Sequence, residues 1–253
     1  MSTTRFSGKP TNRGEERVKD NRSYYDAFSA RYEKGRDAGY HALVDALTVD
    51  LVLRYARGKD VIEVGCGTGL ILKEIASEAH HAAGVDLSAG MLRRACARGL
   101  AVAQGDATAI PFASESFDVV CSFKVLPHVR DLEAALAEMT RLLRPGGHLL
   151  IEFYNRRSLR ALVKRLKRPT AVADDVTDEE VYTRYDTFES FTAALPAGVR
   201  VVGSRGIRIA TPAAIVHDLP VARSLFAFLE RTLCDSPLRR FAGFVQVVAE
   251  KES

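Results

Sequence analysis

The sequence has few cysteines and none of the paired spacings that hold metals. Its four cysteines are spread over 253 residues, at Cys66, Cys96, Cys121 and Cys234. No Cys-x-x-Cys pair is present, so the sequence predicts no metal site, and the wide spacing does not indicate a disulfide framework. Scattered cysteines of this kind favour a reduced setting, and we expect a cytoplasmic protein.

The sequence also lacks a large charge excess and a long apolar run. The formal net charge is +4, whereas nucleic-acid-binding domains usually carry a strong basic stripe, so we expect no nucleic-acid partner. No apolar run approaches the ~20 residues that cross a bilayer. The opening segment, MSTTRFSGKPTNRGEER, has no apolar core of the kind found in signal peptides. We therefore expect no stable membrane insertion.

What the sequence does contain, from Asp60 to Asn155, is an alternation of strand-like and helix-like patterns. Five short apolar segments predict strands: DVIEVGCG, HAAGVDLS, LAVAQGD, FDVVCSF and HLLIEFYN. Helix patterns lie between several of them, with Ser88 as the N-cap of one and Asp131 as the start of another that Pro145 stops. This spacing is typical of βαβ units, so we predict an α/β fold with a mostly parallel sheet and helices on both faces.

The flanking segments complete a predicted domain plan. We predict a flexible tail over residues 1–14 and a single domain over 15–253, made of a helical cap (15–56), a ligand-binding half (57–154) and a second half with helical insertions (155–253). The second half is predicted to hold helices at 187–195 and 213–233, a strand GVRVVGSRGIRIA and a last strand FAGFVQVVAEK.

The most informative segment is VIEVGCGTGL, in which Gly65, Gly67 and Gly69 follow the first predicted strand. A glycine-rich turn before a helix lets the backbone approach a ligand closely, because no Cβ is in the way. In an open parallel sheet, such sites lie beyond the carboxyl ends of the strands. The dinucleotide pattern G-x-G-x-x-G would need glycine at position 70, where this chain has Leu70. The spacing therefore disfavours a nicotinamide oxidoreductase.

The loop G-x-G-x-G, preceded in its strand by Glu63, resembles the class I S-adenosylmethionine-dependent methyltransferases. The resemblance continues in order to about residue 154, through GVDLS, QGDATAIPF, SFDVVCSFKVLPHV and LRPGGHLLI, and the segment YYDAFSARYE is similar to the family's cap helix. The first half looks most like the branch with ubiquinone, menaquinone and natural-product methyltransferases. The resemblance implies a Rossmann-like seven-stranded sheet, mostly parallel with an antiparallel last strand, and an N-terminal helical cap.

The resemblance also implies a cofactor, S-adenosylmethionine, with S-adenosylhomocysteine as its product, and a set of residues that hold it. Asp86 is expected to bind the ribose, Asp106 and the Ala107 amide the adenine, and Glu63 the methionine end; a core carboxylate paired to a backbone amide is the alternative for Glu63. Cys66 is expected to fill space beside the cofactor and not to act as a nucleophile. The predicted cofactor-binding residues are Tyr24, Tyr32, Glu63, Gly65, Cys66, Gly67, Gly69, Asp86, Leu87, Met91, Gly105, Asp106, Ala107, Phe123 and Lys124.

Methyl transfer from a sulfonium depends chiefly on alignment, and a general base is optional. His128 is the first candidate for a base because histidine titrates near neutral pH, and Tyr25 is the second. The substrate-lining candidates are Tyr25, His128 and Tyr154. For each there is a structural alternative, in which His128 only holds its loop and the tyrosines only pack. Lys124 is expected to meet either an anionic acceptor or solvent.

The expected function is methyl transfer to an O, N or C atom of a small molecule, by a monomer or a homodimer. Two alternatives stay open: a cofactor-binding protein without catalysis, and a methyltransferase for a lipid-borne quinol. The basic amphipathic pattern RRSLRALVKRLKR at 156–168 predicts either weak association with an anionic membrane surface or a surface helix that pairs with the acidic stretch at 174–180.

Overall fold

Nine strands define the sheet structure of the computed structural model, which describes residues 21–36, 39–158, 161, 171–173, 176–177, 182–212, 216–217 and 219–252. The strands are β1 (Asp60–Val64), β2 (His81–Asp86), β3 (Ala101–Gln104), β4 (Phe117–Ser122), β5 (Leu143–Tyr154), β6 (Ala171–Ala173), β7 (Val176–Thr177), β8 (Val199–Ile207) and β9 (Phe244–Lys251). Seven of them form one sheet in the order β3-β2-β1-β4-β5-β9-β8, while β6 and β7 form a separate two-stranded ribbon.

The strand directions confirm the fold predicted from the sequence. Strands β1 to β5 pair in parallel, and β9 runs antiparallel to both β5 and β8. The last strand of the chain is therefore the reversed one. The middle of β4 is buried on both faces, with Val119 and Val120 almost inaccessible, as expected for a central strand of a parallel sheet.

Seven α-helices and two 3-10 turns connect the described strands. The helices are α1 (Asn21–Phe28), α2 (Gly39–Ala56), α3 (Leu70–Ala76), α4 (Ala89–Ala97), α5 (Leu132–Leu142), α6 (Phe188–Thr192) and α7 (Pro220–Leu233), and the 3-10 turns are Leu126–His128 and Pro237–Phe241. Ser88 caps α4 by accepting from the Met91 N–H, and Asp131 caps α5 by accepting from the Ala134 N–H. Helix α5 ends before Pro145, because β5 already begins at Leu143.

The core lies on both faces of the sheet. One cluster packs Leu136 and Met139 of α5 against Ile62 and Val120, and the other packs Val52 of α2 against the opposite face. This two-sided burial leaves the edge at the carboxyl ends of the strands as the place where loops converge.

Some predicted features lie outside the described residues. These are the tail at 1–14, most of the predicted helix at 156–168, and the acidic residues 174–175 and 178–180. Among the helices that the structure describes, none has the length and apolarity needed to cross a bilayer.

Candidate active site

The glycine loop lies at the carboxyl end of β1 and is tied to the end of β2. The Gly65 N–H donates to the Val85 carbonyl at 2.7 Å. Gly65 and Gly67 have φ values of +77° and +55°, which side chains rarely adopt. A Cβ on Gly65 would collide with Val125, whereas no atom lies within 4 Å of a Cβ placed on Gly67. The loop thus presents backbone to an open space.

That space is a cavity of about 460 Å³ at the carboxyl ends of β1 to β4, a size usual for small-molecule sites. The predicted site residues that line it are Tyr25, Tyr32, Gly65, Gly67, Asp86, Leu87, Met91, Gly105, Asp106, Ala107, Phe123, Lys124 and His128. Residues that the sequence did not suggest also line it: Val64, Val85, Thr108, Val125, Val129, Arg130 and Asp131. Most of these residues are next in sequence to a predicted site residue, and that adjacency could have been used to predict them.

Asp86 connects the glycine loop to the start of α4. One carboxylate oxygen accepts from the Gly67 N–H and the other from the Ser88 N–H, both at 2.8 Å. Burial raises the pKa of this carboxyl, although the two N–H donors lower it in part. The position suits a hydroxyl-bearing ligand, because a carboxylate accepts hydrogen bonds from a diol.

Asp106 lies in a tight turn after β3. Its Oδ1 accepts from the Thr108 N–H at 2.8 Å and from the Thr108 hydroxyl at 2.7 Å. Gly105 cannot carry a side chain here, since a Cβ would lie 2.7 Å from Pro111. The turn brings Asp106, Ala107 and Thr108 to the cavity wall.

A smaller cavity adjoins the first, beyond Phe123 and Lys124, and it is lined with charge. Two buried polar atoms around it have no partner among the described residues, Glu63 Oε2 and Arg36 Nε, and the Thr68 side chain beside them hydrogen-bonds the Glu33 carboxylate. Burial raises the pKa of Glu63 well above its ordinary value, with further increases from the Asp45 and Asp86 charges and a partial decrease from the Leu72 N–H. Unmatched donors and acceptors in one recess point to a zwitterionic ligand group.

Lys124 has its charge matched by α2. Its Nζ lies 2.7 Å from Asp45 Oδ1, and Arg36 lies 3.3 Å from the other oxygen of the same carboxylate. Burial disfavours the ammonium, but the Asp45 and Glu152 carboxylates outweigh it and raise the pKa of Lys124. Lys124 thus pairs with Asp45, and its side chain also lines both cavities.

The aromatic cap is a packed ladder on α1 and the turn after it. Tyr24 stacks on Phe28 at 5.7 Å between ring centroids, and Phe28 meets Tyr32 edge-on at 5.8 Å. Tyr25 and Tyr32 line the cavity, whereas Tyr24 is buried inside the ladder. Burial, followed by the Tyr24 and Tyr32 hydroxyls, raises the pKa of Tyr25. Its phenol therefore stays protonated at neutral pH and can donate a hydrogen bond.

Asp26 fastens the cap to α4. Its Oδ1 accepts from the Ser88 hydroxyl at 2.6 Å and from the Gly90 N–H at 2.8 Å. Farther along, Arg98 forms a 2.8 Å ion pair with Glu33. The contact between Asp26 and α4 requires glycine at position 90, because a Cβ there would lie 2.7 Å from the Ser29 hydroxyl.

His128 also lines the large cavity. Its Nδ1 lies 2.9 Å from the Tyr182 carbonyl oxygen, which only accepts, so Nδ1 carries the proton and Nε2 of the neutral ring is an acceptor. The Tyr154 hydroxyl lies 3.4 Å from Nε2. Tyr154 contacts His128 and is not among the residues that line the cavity.

Two other predicted residues also lie back from the large cavity. A Cβ on Gly69 would collide with Leu100, and the residue's φ of +82° requires glycine, so Gly69 serves the packing of α3 on α4. Cys66 lines only the smaller cavity and packs its sulfur against Gly84 of β2. Burial raises the pKa of this thiol, which opposes nucleophilic reactivity.

A family model described as a methyltransferase domain matches residues 62–151. A demethylmenaquinone methyltransferase from a Mycobacterium species is 35% identical over 175 residues, covering 63% of this chain and 74% of the relative. The protein of that description from Mycobacterium tuberculosis is 37% identical over 99 residues, covering 39% of this chain and 42% of the relative. The chain thus spans 42% of the length of the first curated relatives that it matches.

Among solved structures, a S-adenosylmethionine-dependent methyltransferase from Thermotoga maritima, described as a possible histamine N-methyltransferase, has a TM-score of 0.65. It is 20% identical, and the match covers 91% of this chain and 99% of that one. At this identity the match supports the fold alone. Because the chain covers 74% of a relative at 35% identity, and because its glycine loop, Asp86 and Asp106 meet at one cavity, it belongs to the class I S-adenosylmethionine-dependent methyltransferases, in the branch that includes the menaquinone enzymes.

Proposed function

We propose that this protein transfers a methyl group from S-adenosylmethionine to a small-molecule acceptor bound between the aromatic cap and His128. The observation that carries the proposal is the pair of adjoining cavities. The larger one offers a carboxylate and a glycine loop, and the smaller one holds buried polar atoms without partners. A ligand with a nucleoside at one end and an amino acid at the other would match the larger and the smaller cavity, respectively.

The residues present fit the cofactor. Asp86 would accept from the ribose hydroxyls, and the turn at Asp106 and Ala107 would contact the adenine. The recess with Glu63, Thr68 and Arg36 would take the amino and carboxylate groups of the methionine end. Each unmatched buried atom there would gain a partner, which removes a desolvation cost on binding.

When bound, S-adenosylmethionine supplies an electrophilic methyl group: an acceptor electron pair forms the new bond to carbon while the sulfur–carbon bond breaks and leaves its electrons on sulfur. The chain itself aligns the reactants and excludes water. Tyr25 and Tyr32 cover the cavity from the cap, and Phe123 walls it from β4. Alignment of this kind can supply on the order of 7–11 kcal/mol of the barrier.

His128 is the proposed base. The Tyr182 carbonyl holds the Nδ1 proton, so Nε2 can take the proton that an acceptor hydroxyl loses. Tyr154 contacts the same nitrogen and would orient the ring. The Tyr25 phenol, with its raised pKa, would donate to the bound ligands and not take their protons.

We propose a hydroxylated aromatic ring, such as a quinol, as the acceptor class. The relatives at 35–37% identity are described as demethylmenaquinone methyltransferases, and the cavity wall near His128 contributes Phe123, Val125 and Val129. Transfer to an O or a C atom of such a ring is compatible with this wall.

The test is a coupled assay that detects S-adenosylhomocysteine during incubation with quinols, phenols, amines and sugars, with product masses measured for every hit. A quinol or phenol product of one added methyl group is the expected result. Cofactor binding without turnover on any acceptor, in a panel that includes demethylmenaquinol, would favour a binding protein without catalysis.

A further inference from the structure

Helix α7 carries a large apolar stripe on its solvent side. Val221, Leu225 and Phe228 recur at helical spacing and are 85%, 54% and 65% exposed, and Leu219, at the N-cap, is 63% exposed. Single exposed apolar side chains are ordinary, but three large ones on one face of a helix, with a fourth at its N-cap, are not. The stripe is distinct from the helix's buried side, where Ala227 packs on the core.

The exposed charges near this stripe are mainly basic, and the carboxylate of Asp235, just after the helix, is paired with Arg205 and Arg54. The exposed charged side chains of α7 are Arg223 and Arg231, since its one carboxylate, Glu230, is 1% exposed. Glu230 accepts from the N–H groups of residues 209–211 and so contributes no free acid to the surface. The following 3-10 turn adds Arg240 beside an exposed Phe241.

The helix lies against the sheet edge that carries the candidate active site. Ala227 packs on a cluster that contains Ile207 and Phe244, which pair at the carboxyl end of the sheet. Tyr154 packs on that cluster too, and its hydroxyl reaches His128 in the cavity wall. One packed layer of side chains therefore separates the buried side of α7 from His128 in the cavity wall.

We infer that α7 docks this protein on an anionic lipid surface, with the apolar stripe entering the headgroup boundary and the arginines contacting lipid phosphates. An exposed apolar face, with arginine on the remaining exposed surface of the helix, is the pattern of interfacial helices. A second copy of the chain is a poorer occupant, because an isologous contact through this face would bring the arginines of both copies together. Docking on a membrane would give a lipid-borne acceptor a route to the site, and that consequence rests on the proposed function. The docking itself is independent of the proposed function.

The test is flotation of the full chain with vesicles of phosphatidylcholine alone or with phosphatidylglycerol added. We expect binding to the anionic vesicles at low ionic strength, and weaker binding as salt screens the arginines. The variant V221S/L225S/F228S should bind about 10-fold more weakly, and R223Q/R231Q should lose the preference for anionic lipid.

The matched control is Val202→Ser, which removes a 40% exposed apolar side chain from β8. It should bind vesicles like the wild type. S-adenosylhomocysteine titration and melting curves identify variants that fail to fold, and the arginine variant tests the inference if the triple serine variant does not fold. Wild type that stays unbound to anionic vesicles at low salt would overturn the inference. Self-association that the serine changes abolish, with no vesicle binding, would assign the face to a second copy instead. Neither result depends on methyl transfer, so the proposed function is tested separately.

Discussion

Among single residues, Asp86 is the one whose loss should affect cofactor binding most, because its carboxylate contacts the loop backbone and also lines the cavity. Asp86→Ala should weaken S-adenosylhomocysteine binding by about 100-fold, since two hydrogen bonds to a charged acceptor contribute about 1.5 kcal/mol each. Calorimetry on the folded variant checks this. Asp60→Asn, at the other end of the neighbouring strand β1, should bind normally; near-normal affinity in Asp86→Ala would refute the ribose role.

His128 allows a prediction on rate and pH. If Nε2 takes the acceptor proton, kcat in the wild type should rise as pH rises, because the protonated imidazole cannot accept a proton. His128→Gln should lower kcat by about 100-fold or more and flatten the profile, with an unchanged Kd for S-adenosylhomocysteine. Tyr154→Phe, which keeps the ring but removes the hydroxyl near Nε2, should cost under about 10-fold. A wild-type-like pH profile in His128→Gln would leave His128 a loop-holding residue.

At the level of elements, Asp26 holds the cap to the start of α4. The Ser88 hydroxyl and the Gly90 N–H both donate to Asp26 and lower its pKa. A lowered folded-state pKa means that the contact is fully present above the ordinary pKa of aspartate and is lost as pH falls through the folded value. Acidification should therefore release α1, and hydrogen exchange of residues 21–36 should rise before the sheet unfolds.

Gly90→Val tests the same cap at neutral pH. The new side chain would meet the Ser29 hydroxyl and the Asp26 backbone, so α1 should leave α4 and S-adenosylhomocysteine should bind more weakly. The control is Gly203→Val, whose nearest contact is Val248 at 3.9 Å and which lies in β8, away from the cap. Unchanged exchange at 21–36 in Gly90→Val would show that the cap does not depend on this contact.

The elements were largely predictable from sequence, and their mutual contacts were not. Ser88 predicted the start of α4, because an N-cap bonds only to residues close to it in the chain. The glycines predicted the loop, because glycine adopts positive φ more readily than other residues do. The contact between Asp26 and Ser88 spans 62 positions, and that between Lys124 and Asp45 spans 79. Such pairs depend on how helices pack, which no local pattern encodes. The pairing of Lys124 with Asp45 was therefore not predictable from the sequence.

At the level of the whole molecule, Arg205 holds the second half of the chain to α2. Its side chain is 2% exposed and pairs with Asp50 at 2.7 Å and Asp235 at 2.6 Å, while Nη1 donates to the Leu47 carbonyl. Burial opposes the charge, but hydrogen bonds with Asp235 and Asp50 raise the pKa of the guanidinium. Arg205→Ala should lower the free energy of unfolding by about 2 kcal/mol, because it removes a buried side chain and its hydrogen bond to Leu47, whereas both carboxylate partners are half exposed.

The control is on the same strand. Arg200 pairs with Glu250 at the surface and is 63% exposed, so Arg200→Ala should change stability by under about 0.5 kcal/mol. Urea unfolding of both variants gives the comparison. Equal effects would mean that the buried Arg205 side chain contributes no more to stability than the exposed Arg200 side chain. Arg205 could not be predicted as a buried residue, because a lone arginine within a strand pattern is usually exposed.

The most direct test of a cofactor site in the paired cavities is calorimetric titration of the purified chain with S-adenosylhomocysteine, with NADH as the comparison ligand. We expect one S-adenosylhomocysteine per chain with micromolar or tighter affinity, and no heat from NADH, because the loop has the G-x-G-x-G spacing with Leu70 in place of a dinucleotide glycine. A folded chain that binds NADH, or that fails to bind S-adenosylhomocysteine at millimolar concentration, would contradict the assignment of the paired cavities as an S-adenosylmethionine site.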